Sequence, residues 1–158
     1  MSEAKRLRDA LRGRTLVHVD ASVLALHASA QAGALPLTRA LFGALAAGEL
    51  RAQTSALSFY QILAEAYRRG DAGTAERAER LLGSIPGLAI VAVTPRIARQ
   101  AAQVRAQLGG GPERAIQLAT ALSEDADLFL TQRSALRRVA GMAVESLEAL
   151  RPDGPGAG

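Results

Sequence analysis

The chain has 158 residues, enough for one domain with a sizeable core and too few for two comfortable ones. Apolar residues make up 49% of it, which excludes a disordered chain, and the lack of cysteine excludes disulfides and thiolate metal sites. Most of the net charge of +4 sits at the amino end, where Lys5, Arg6, Arg8, Arg12 and Arg14 stand against Glu3 and Asp9. The remaining body is almost neutral, and its basic residues are all arginine. That bias fits codon composition better than selection for phosphate forks. No stretch reaches the roughly 18 uninterrupted apolar residues of a membrane span, and the charged start MSEAKRLRDALRGR does not read as a secretory signal. A soluble, cytoplasmic protein without a membrane partner is the expectation. The basic end segment is a weak cue to an RNA or acidic partner, and a solvated helix face is the plainer reading.

Residues 1–14 read as a basic helix or extension. Thr15–Val19 is short, β-branched and bounded by Arg14 and Asp20, as a buried strand is. Ala21–Ala30 turns helical, and a second helical run follows Pro36, with Leu37, Leu41, Phe42 and Leu45 at helical spacing. Leu50–Thr54 reads as a strand, Leu57–Arg69 as a helix stopped by Gly70, and Ala72–Leu82 as an amphipathic helix. Leu88–Val93 (LAIVAV) is continuous and apolar, as a strand buried on both faces should be. Thr94 and Pro95 open a helix to about Leu108. After Gly109-Gly110-Gly111-Pro112 come a helix over Glu113–Leu122, a strand over Asp127–Thr131, a helical turn over Ser134–Val139 and a short strand over Ala143–Leu147. The tail RPDGPGAG, residues 151–158, has no means of packing and reads as disordered.

Strands alternating with helices over residues 15–150 predict an α/β domain, a three-layer α/β/α sandwich around a mostly parallel sheet of four to five strands. Ligands of such sheets gather outside the carboxyl ends of the strands, near a topological switch point. The residues expected there are Asp20, Thr54, Ser55, Thr131, Gln132 and Arg133, with Gln61 on the following helix and Arg114 opening another.

Four segments in order resemble the PIN-domain ribonucleases, including the toxins of bacterial toxin–antitoxin pairs. VHVDASVL (17–24) is similar to their first strand and first metal-binding aspartate. TSALSFYQILAEAYRRGD (54–71) is similar to the second strand end and the helix that usually carries a glutamate. TPRIARQAAQVRAQLGGGPERAIQLATAL (94–122) resembles a helix pair whose second member usually starts Pro-Asp-Ala. ADLFLTQRSALRRVAGMAVESL (126–147) resembles the segment that normally reads Thr-Asn-Asp after the fourth strand. The resemblance implies a nuclease that cuts RNA with Mg²⁺ or Mn²⁺ held by three or four carboxylates, the metal supplying hydroxide and offsetting transition-state charge. It also suggests an antitoxin-like partner or a homodimer.

Carried over position by position, the resemblance leaves one of the four carboxylates. Asp20 is retained with Ser22 beside it, the glutamate falls on Gln61, and the last two aspartates fall on Arg114 and Arg133. Arginine cannot deprotonate to become a ligand. Each such cation about 5 Å from a divalent ion opposes it by several kcal/mol at an effective dielectric of roughly 20. Glu65, one turn beyond Gln61, and Glu113, about 100° from Arg114 on its helix, are the nearest replacements, and both read as solvated. The acidic group Glu124, Asp125 and Asp127 belongs at the opposite end of the sheet and reads the same way.

The expectation is therefore a degenerate PIN-like domain without a metal cofactor that binds RNA or a protein partner. Asp20 serves as helix cap and salt-bridge partner of Arg114 and Arg133, or those arginines take a phosphate together with Asp20, Ser22 and Thr131. Two alternatives stay open. One is an active Mg²⁺- or Mn²⁺-dependent endoribonuclease with a rearranged ligand set built on Asp20 and Glu113; the other is a purely structural subunit. His18 and His27 read as satisfied structural histidines, and the glycines at 109–111 as a flexible loop.

Overall fold

A computed structural model describes residues 1–29 and 35–151. The elements follow one another as α1 (Glu3–Leu11), β1 (Leu16–Val19), α2 (Ala21–Ser29), α3 (Leu35–Ala46), β2 (Arg51–Ser55), α4 (Leu57–Arg68) and α5 (Ala72–Ser84). Then come β3 (Leu88–Val91), α6 (Pro95–Leu108), α7 (Pro112–Ser123), β4 (Leu128–Thr131), β5 (Arg138–Val139), β6 (Met142–Ser146) and α8 (Leu147–Leu150). Among the described residues no helix is long and apolar enough to cross a membrane. The segment expected to be a disordered tail lies outside the described residues except for Arg151.

The strands form one sheet in the order β3-β2-β1-β4-β6-β5, parallel throughout except for the β5–β6 pair. It has six strands, more than the four or five expected. Strands on both sides of β1 follow it in sequence, so the order reverses between β1 and β4. That is the switch point where ligands of such sheets bind.

Side-chain alternation divides the core in two. Val17 and Val19 of β1 and Leu128 and Leu130 of β4 face one layer, packed with Leu7, Leu24, Leu41 and Leu147. Phe129 faces the other, packed with Ile97, Leu118 and Val144 under α6 and α7. Both strands are therefore buried on both faces and apolar apart from His18 and Thr131, as parallel strands covered on both faces are.

Local signals set the helix starts. Thr94 Oγ1 accepts from the Ile97 amide at 3.2 Å with Pro95 in the first turn, and Ser2 Oγ accepts from the Lys5 amide at 3.2 Å. The amino-terminal helix is more than a solvated extension. Leu7 and Leu11 are buried in the core, and Arg6 donates to the Arg151 carbonyl at 3.0 Å. Arg14 reaches the Asp127 carbonyl at 3.4 Å, and Arg12 pairs with Asp9 at 3.0 Å.

Two local expectations need correction. β3 is an edge strand rather than one buried on both faces: it pairs with β2 alone, and Ala89 and Ile90 are exposed. An apolar run reports apolar surroundings, and it does not report which place in the sheet the strand will take. Residues 134–139 form no helical turn; Arg138–Val139 is a strand that returns through Ala140-Gly141 onto β6. Both turn residues have positive φ, 47° and 87°, the geometry of a two-residue hairpin turn.

Alanine carries a steric cost in the left-handed region that asparagine largely avoids. Ala140→Asn is expected to stabilise the fold by about 1 kcal/mol, read as a higher urea midpoint at an unchanged m value. An unchanged or lower midpoint would show that the turn is not strained.

Candidate functional site

Asp20 directly follows β1, and its amide donates to the Leu130 carbonyl of β4 at 2.9 Å, so the sheet's switch point fixes its place. Its carboxylate is largely occupied by its own chain. Oδ1 accepts from the Ala21 amide at 2.9 Å, and Oδ2 accepts from the Ser22 and Thr131 hydroxyls, each at 2.8 Å. Ser22 Oγ in turn accepts from the Gln132 amide at 3.0 Å. A carboxylate offers about four acceptor positions, so these three donors leave about one free. The residues Asp20, Ser22 and Thr131 thus stitch the ends of β1 and β4 to the start of α2.

A cleft of about 440 Å³ opens beside this stitch, bordered by Asp20, Gln61, Glu113, Arg114, Thr131 and Arg133 among others. All four family acidic positions do converge. The arginines, however, do not pair with Asp20 as expected. Arg133 Nε lies 3.4 Å from Glu148 Oε2, and Arg114 Nη2 donates to the Gly109 carbonyl at 3.4 Å. Both side chains are exposed, and among the described residues no ion pair joins either to Asp20. Salt-bridge formation by Asp20 is therefore corrected: its partners are hydroxyls and an amide.

Glu113 was expected to point away, yet it borders the same cleft as Arg114. The cause is the connection before α7. Gly109 and Gly110 adopt φ of 70° and 80°, Gly111 caps the helix, and the helix begins at Pro112. Residues 113 and 114 then both lie in its exposed first turn, facing the cleft mouth. Two carboxylates and two guanidinium groups leave this cleft with no net charge, so it is not the basic cleft that a count of the four family positions suggests.

Other expected acids lie elsewhere. Glu65 pairs with Arg68 at 2.8 Å and Arg69 at 2.9 Å, and the bond to Arg68 is the main cause holding its carboxyl below the ordinary range. It borders a second groove of about 740 Å³ between α2, α4 and α5, which joins the cleft along Asp20, Ser22, Gln61 and Gln132. Asp127 is at the amino end of the sheet, as anticipated, but is not merely solvated: its carboxylate accepts from the Thr15 and Leu16 amides at 2.7 and 3.2 Å.

Beneath the cleft runs a buried polar chain that sequence reading missed. His18 stacks on Phe129 with centroids 5.2 Å apart, and both its nitrogens are bonded: Nε2 to Gln117 Oε1 at 2.8 Å and Nδ1 to Gln53 Nε2 at 3.1 Å. Gln117 Nε2 continues to Ser58 Oγ and Gln61 Oε1, each at 2.9 Å, and Ser58 meets Thr54 Oγ1 at 2.7 Å. The available signal was polar residues at core positions: Gln53 inside β2, and Gln117 between Ile116 and Leu118. Satisfied on both sides, His18 is structural as expected. His27 is not fully so. It packs on Phe42 at 4.2 Å, but its buried Nδ1 has no partner among the described residues.

The donors present do not fit Mg²⁺ or Mn²⁺ held in the way the resemblance implies. Hard cations of this kind are gripped by carboxylate oxygens, and Asp20 is mostly occupied while Gln61 turns its only oxygen to Gln117. Among the described residues no three histidine, aspartate or glutamate side chains stand together as a metal-binding group.

A parallel α/β sheet with a cleft at its switch point defines the architectural class, and comparison supplies the family. The PIN domain family model matches residues 17–142, and the chain belongs to that family. Among solved structures, VapBC2 from Rickettsia felis bound to a promoter DNA fragment aligns at a TM-score of 0.65 and 11% identity, over 84% of this chain and 98% of that one. A toxin–antitoxin complex from Klebsiella pneumoniae aligns at 0.59 and 16%, over 83% and 97%. Mycobacterium tuberculosis VapC20, a sarcin–ricin loop cleaving toxin, aligns at 0.54 and 18%, over 72% and 86%. At these identities the likeness establishes the fold. No protein of curated function matches the sequence.

Burial lowers the His18 pKa from 6.5 to about 4, outweighing the opposing effects of Gln117 and Asp20. The unfolded chain therefore takes up a proton below pH 6.5 that the folded chain refuses until about pH 4, and stability falls across that window. The expected loss by pH 4 is on the order of 3 kcal/mol. Denaturant titrations from pH 7 to 5 should show this slope in the wild type and a shallower one in His18→Leu. Equal slopes would remove His18 as the cause.

Proposed function

We propose that this PIN domain has lost metal-dependent nuclease chemistry and acts by binding, taking the phosphate backbone of an RNA at the cleft. The observation that carries the reading is the state of Asp20. It is the one carboxylate left at the family's four acidic positions, and its own chain occupies most of it. What the cleft offers a ligand is then a set of donors. Arg114 and Arg133 are exposed at its mouth, Arg114 in the first turn of α7, where the helix dipole also favours an anion. The arginine pair is bordered by Glu113, which sets a geometric demand: a ligand has to present phosphate to the guanidinium groups while keeping clear of that carboxylate.

A second reading is favoured by the adjoining groove. Its floor is apolar, with Ala25, Leu26, Ile62, Ala66 and Ala78, and Glu65 and Asp71 stand beside Arg69 and Arg77 on its border. Such a groove suits a protein segment with apolar anchors, as an antitoxin-like partner would supply. The toxin–antitoxin complexes among the structural neighbours agree with this reading. The two sites are contiguous, so a partner in the groove and an RNA in the cleft would compete.

Calorimetric titration of Mn²⁺ into the protein, with Asp20→Asn alongside, should give no binding heat at millimolar metal, and the protein should leave RNA uncut. The double variant Arg114→Glu, Arg133→Glu should weaken a single-stranded oligoribonucleotide at least about tenfold and flatten its salt dependence. Mn²⁺ binding that Asp20→Asn abolishes, together with RNA cleavage, would establish a rearranged carboxylate set and an active endoribonuclease instead.

A further inference from the structure

We infer that Gln61 is a specificity-determining donor of the cleft, locked with its carbonyl inward and its amide N–H group outward by a buried relay, and that it takes a phosphate oxygen of the ligand. The identity of the ligand rests on the RNA reading above; the lock rests on the geometry of the relay alone.

The relay has one possible sense. It starts at the Thr120 backbone carbonyl, which can only accept. Gln53 Nε2 lies 3.4 Å from that oxygen, which identifies the nitrogen end of the amide. The same nitrogen lies 3.1 Å from His18 Nδ1, so Nδ1 is the lone-pair nitrogen of a neutral ring and the proton is on Nε2. Nε2 therefore donates to Gln117 Oε1 at 2.8 Å. With its oxygen so fixed, Gln117 presents its nitrogen to Ser58 Oγ and Gln61 Oε1 at 2.9 Å each. Gln61 is left with its carbonyl held inward. Among the described residues its own amide nitrogen makes no hydrogen bond, and the residue is half-buried on the border of both cleft and groove.

His18, Gln53 and Gln117 are all buried, so reversing any link would set two like groups face to face away from water. Such a reversal leaves unmet polar atoms and is strongly disfavoured. The lock thus reaches from the sheet to the cleft without a charged group in the relay. Its consequence follows from the residue at 61. A glutamate there would accept from Gln117 with one oxygen and turn the other, negative, to the cleft, as a cation ligand must. Glutamine in the same hold turns out a donor. The substitution therefore reverses what the position offers, from a seat for a cation to a hydrogen bond for an oxygen, beside Arg114 and Arg133.

The lock is tested in the ligand-free full chain by nitrogen NMR of the His18 ring, where a proton on Nε2 is expected and a proton on Nδ1 would overturn the relay. The donor role is tested with a short oligouridylate. Titration should shift the Gln61 side-chain amide resonances, and Gln61→Met, which keeps length and removes the donor, should weaken binding about tenfold. Gln61→Glu should weaken it further, because it turns a negative charge toward phosphate. Gln61→Met also leaves one buried Gln117 N–H without its acceptor while Gln61→Glu keeps that acceptor, so weaker binding by both variants at an unchanged melting temperature assigns the loss to the donor. If Gln61→Met binds as tightly as the wild type, the donor role fails. If the wild type binds no oligouridylate, the RNA reading fails and takes the assigned ligand with it, while the position of the His18 proton still decides the lock.

Discussion

Helix α7 lies on the sheet over a polar floor, and burial leaves that floor one workable arrangement. His18, Gln53 and Gln117 carry more hydrogen-bonding capacity than the neighbouring leucines could leave unmet, and each unmet group would cost roughly 1–3 kcal/mol. Their mutual bonds therefore fix the seat of α7 on β1 and β2. Because α7 opens at Pro112, that seat also places Glu113 and Arg114 at the mouth of the cleft. The position of the site's charges is in this sense a consequence of a neutral interaction in the core.

The stitch at Asp20 works at the other wall of the cleft. One carboxylate joins the ends of two strands and the start of a helix through a backbone amide and two hydroxyls. In a metal nuclease the same group would have to share itself between holding the fold and holding a cation. On the proposed reading Gln61, Arg114 and Arg133 supply no carboxylate to draw a cation toward it, and the structural role is left alone. The scaffold's core is a two-sided apolar sheet, and the tie at the switch point is made by hydrogen bonds within the chain.

Electrostatics separates the members of the cleft further. Arg133 is drawn to Glu148 and Arg114 to a carbonyl of the glycine turn, so neither collapses onto Asp20. Both pairings are exposed and worth little in water, which leaves the guanidinium groups available to a stronger anion. A cleft of zero net charge that still displays separated donors selects by geometry more than by attraction at a distance. That fits the proposed binding role, in which orientation matters and long-range capture does not.

Strand and helix order as far as β4, the parallel sheet, the Thr94-Pro95 helix start and the place of Asp20 at a strand end were all legible in the amino-acid sequence, because they depend on short-range pattern and on chain direction. The convergence of Asp20, Gln61, Arg114 and Arg133 was legible too, since the carboxyl ends of parallel strands share one edge of the sheet. Other features belong to the tertiary structure alone. The edge position of β3 depends on which strands pair, and the β5–β6 hairpin depends on a two-residue turn that an alanine tolerates only in context. The arrival of Glu113 in the cleft depends on the backbone of a glycine turn. The links from Gln53 through His18 and Gln117 to Gln61 join residues far apart in the chain, and a glutamine in a sequence does not show which of its ends will face the solvent. That choice is made by partners on other elements, once burial forbids leaving any of them unbonded.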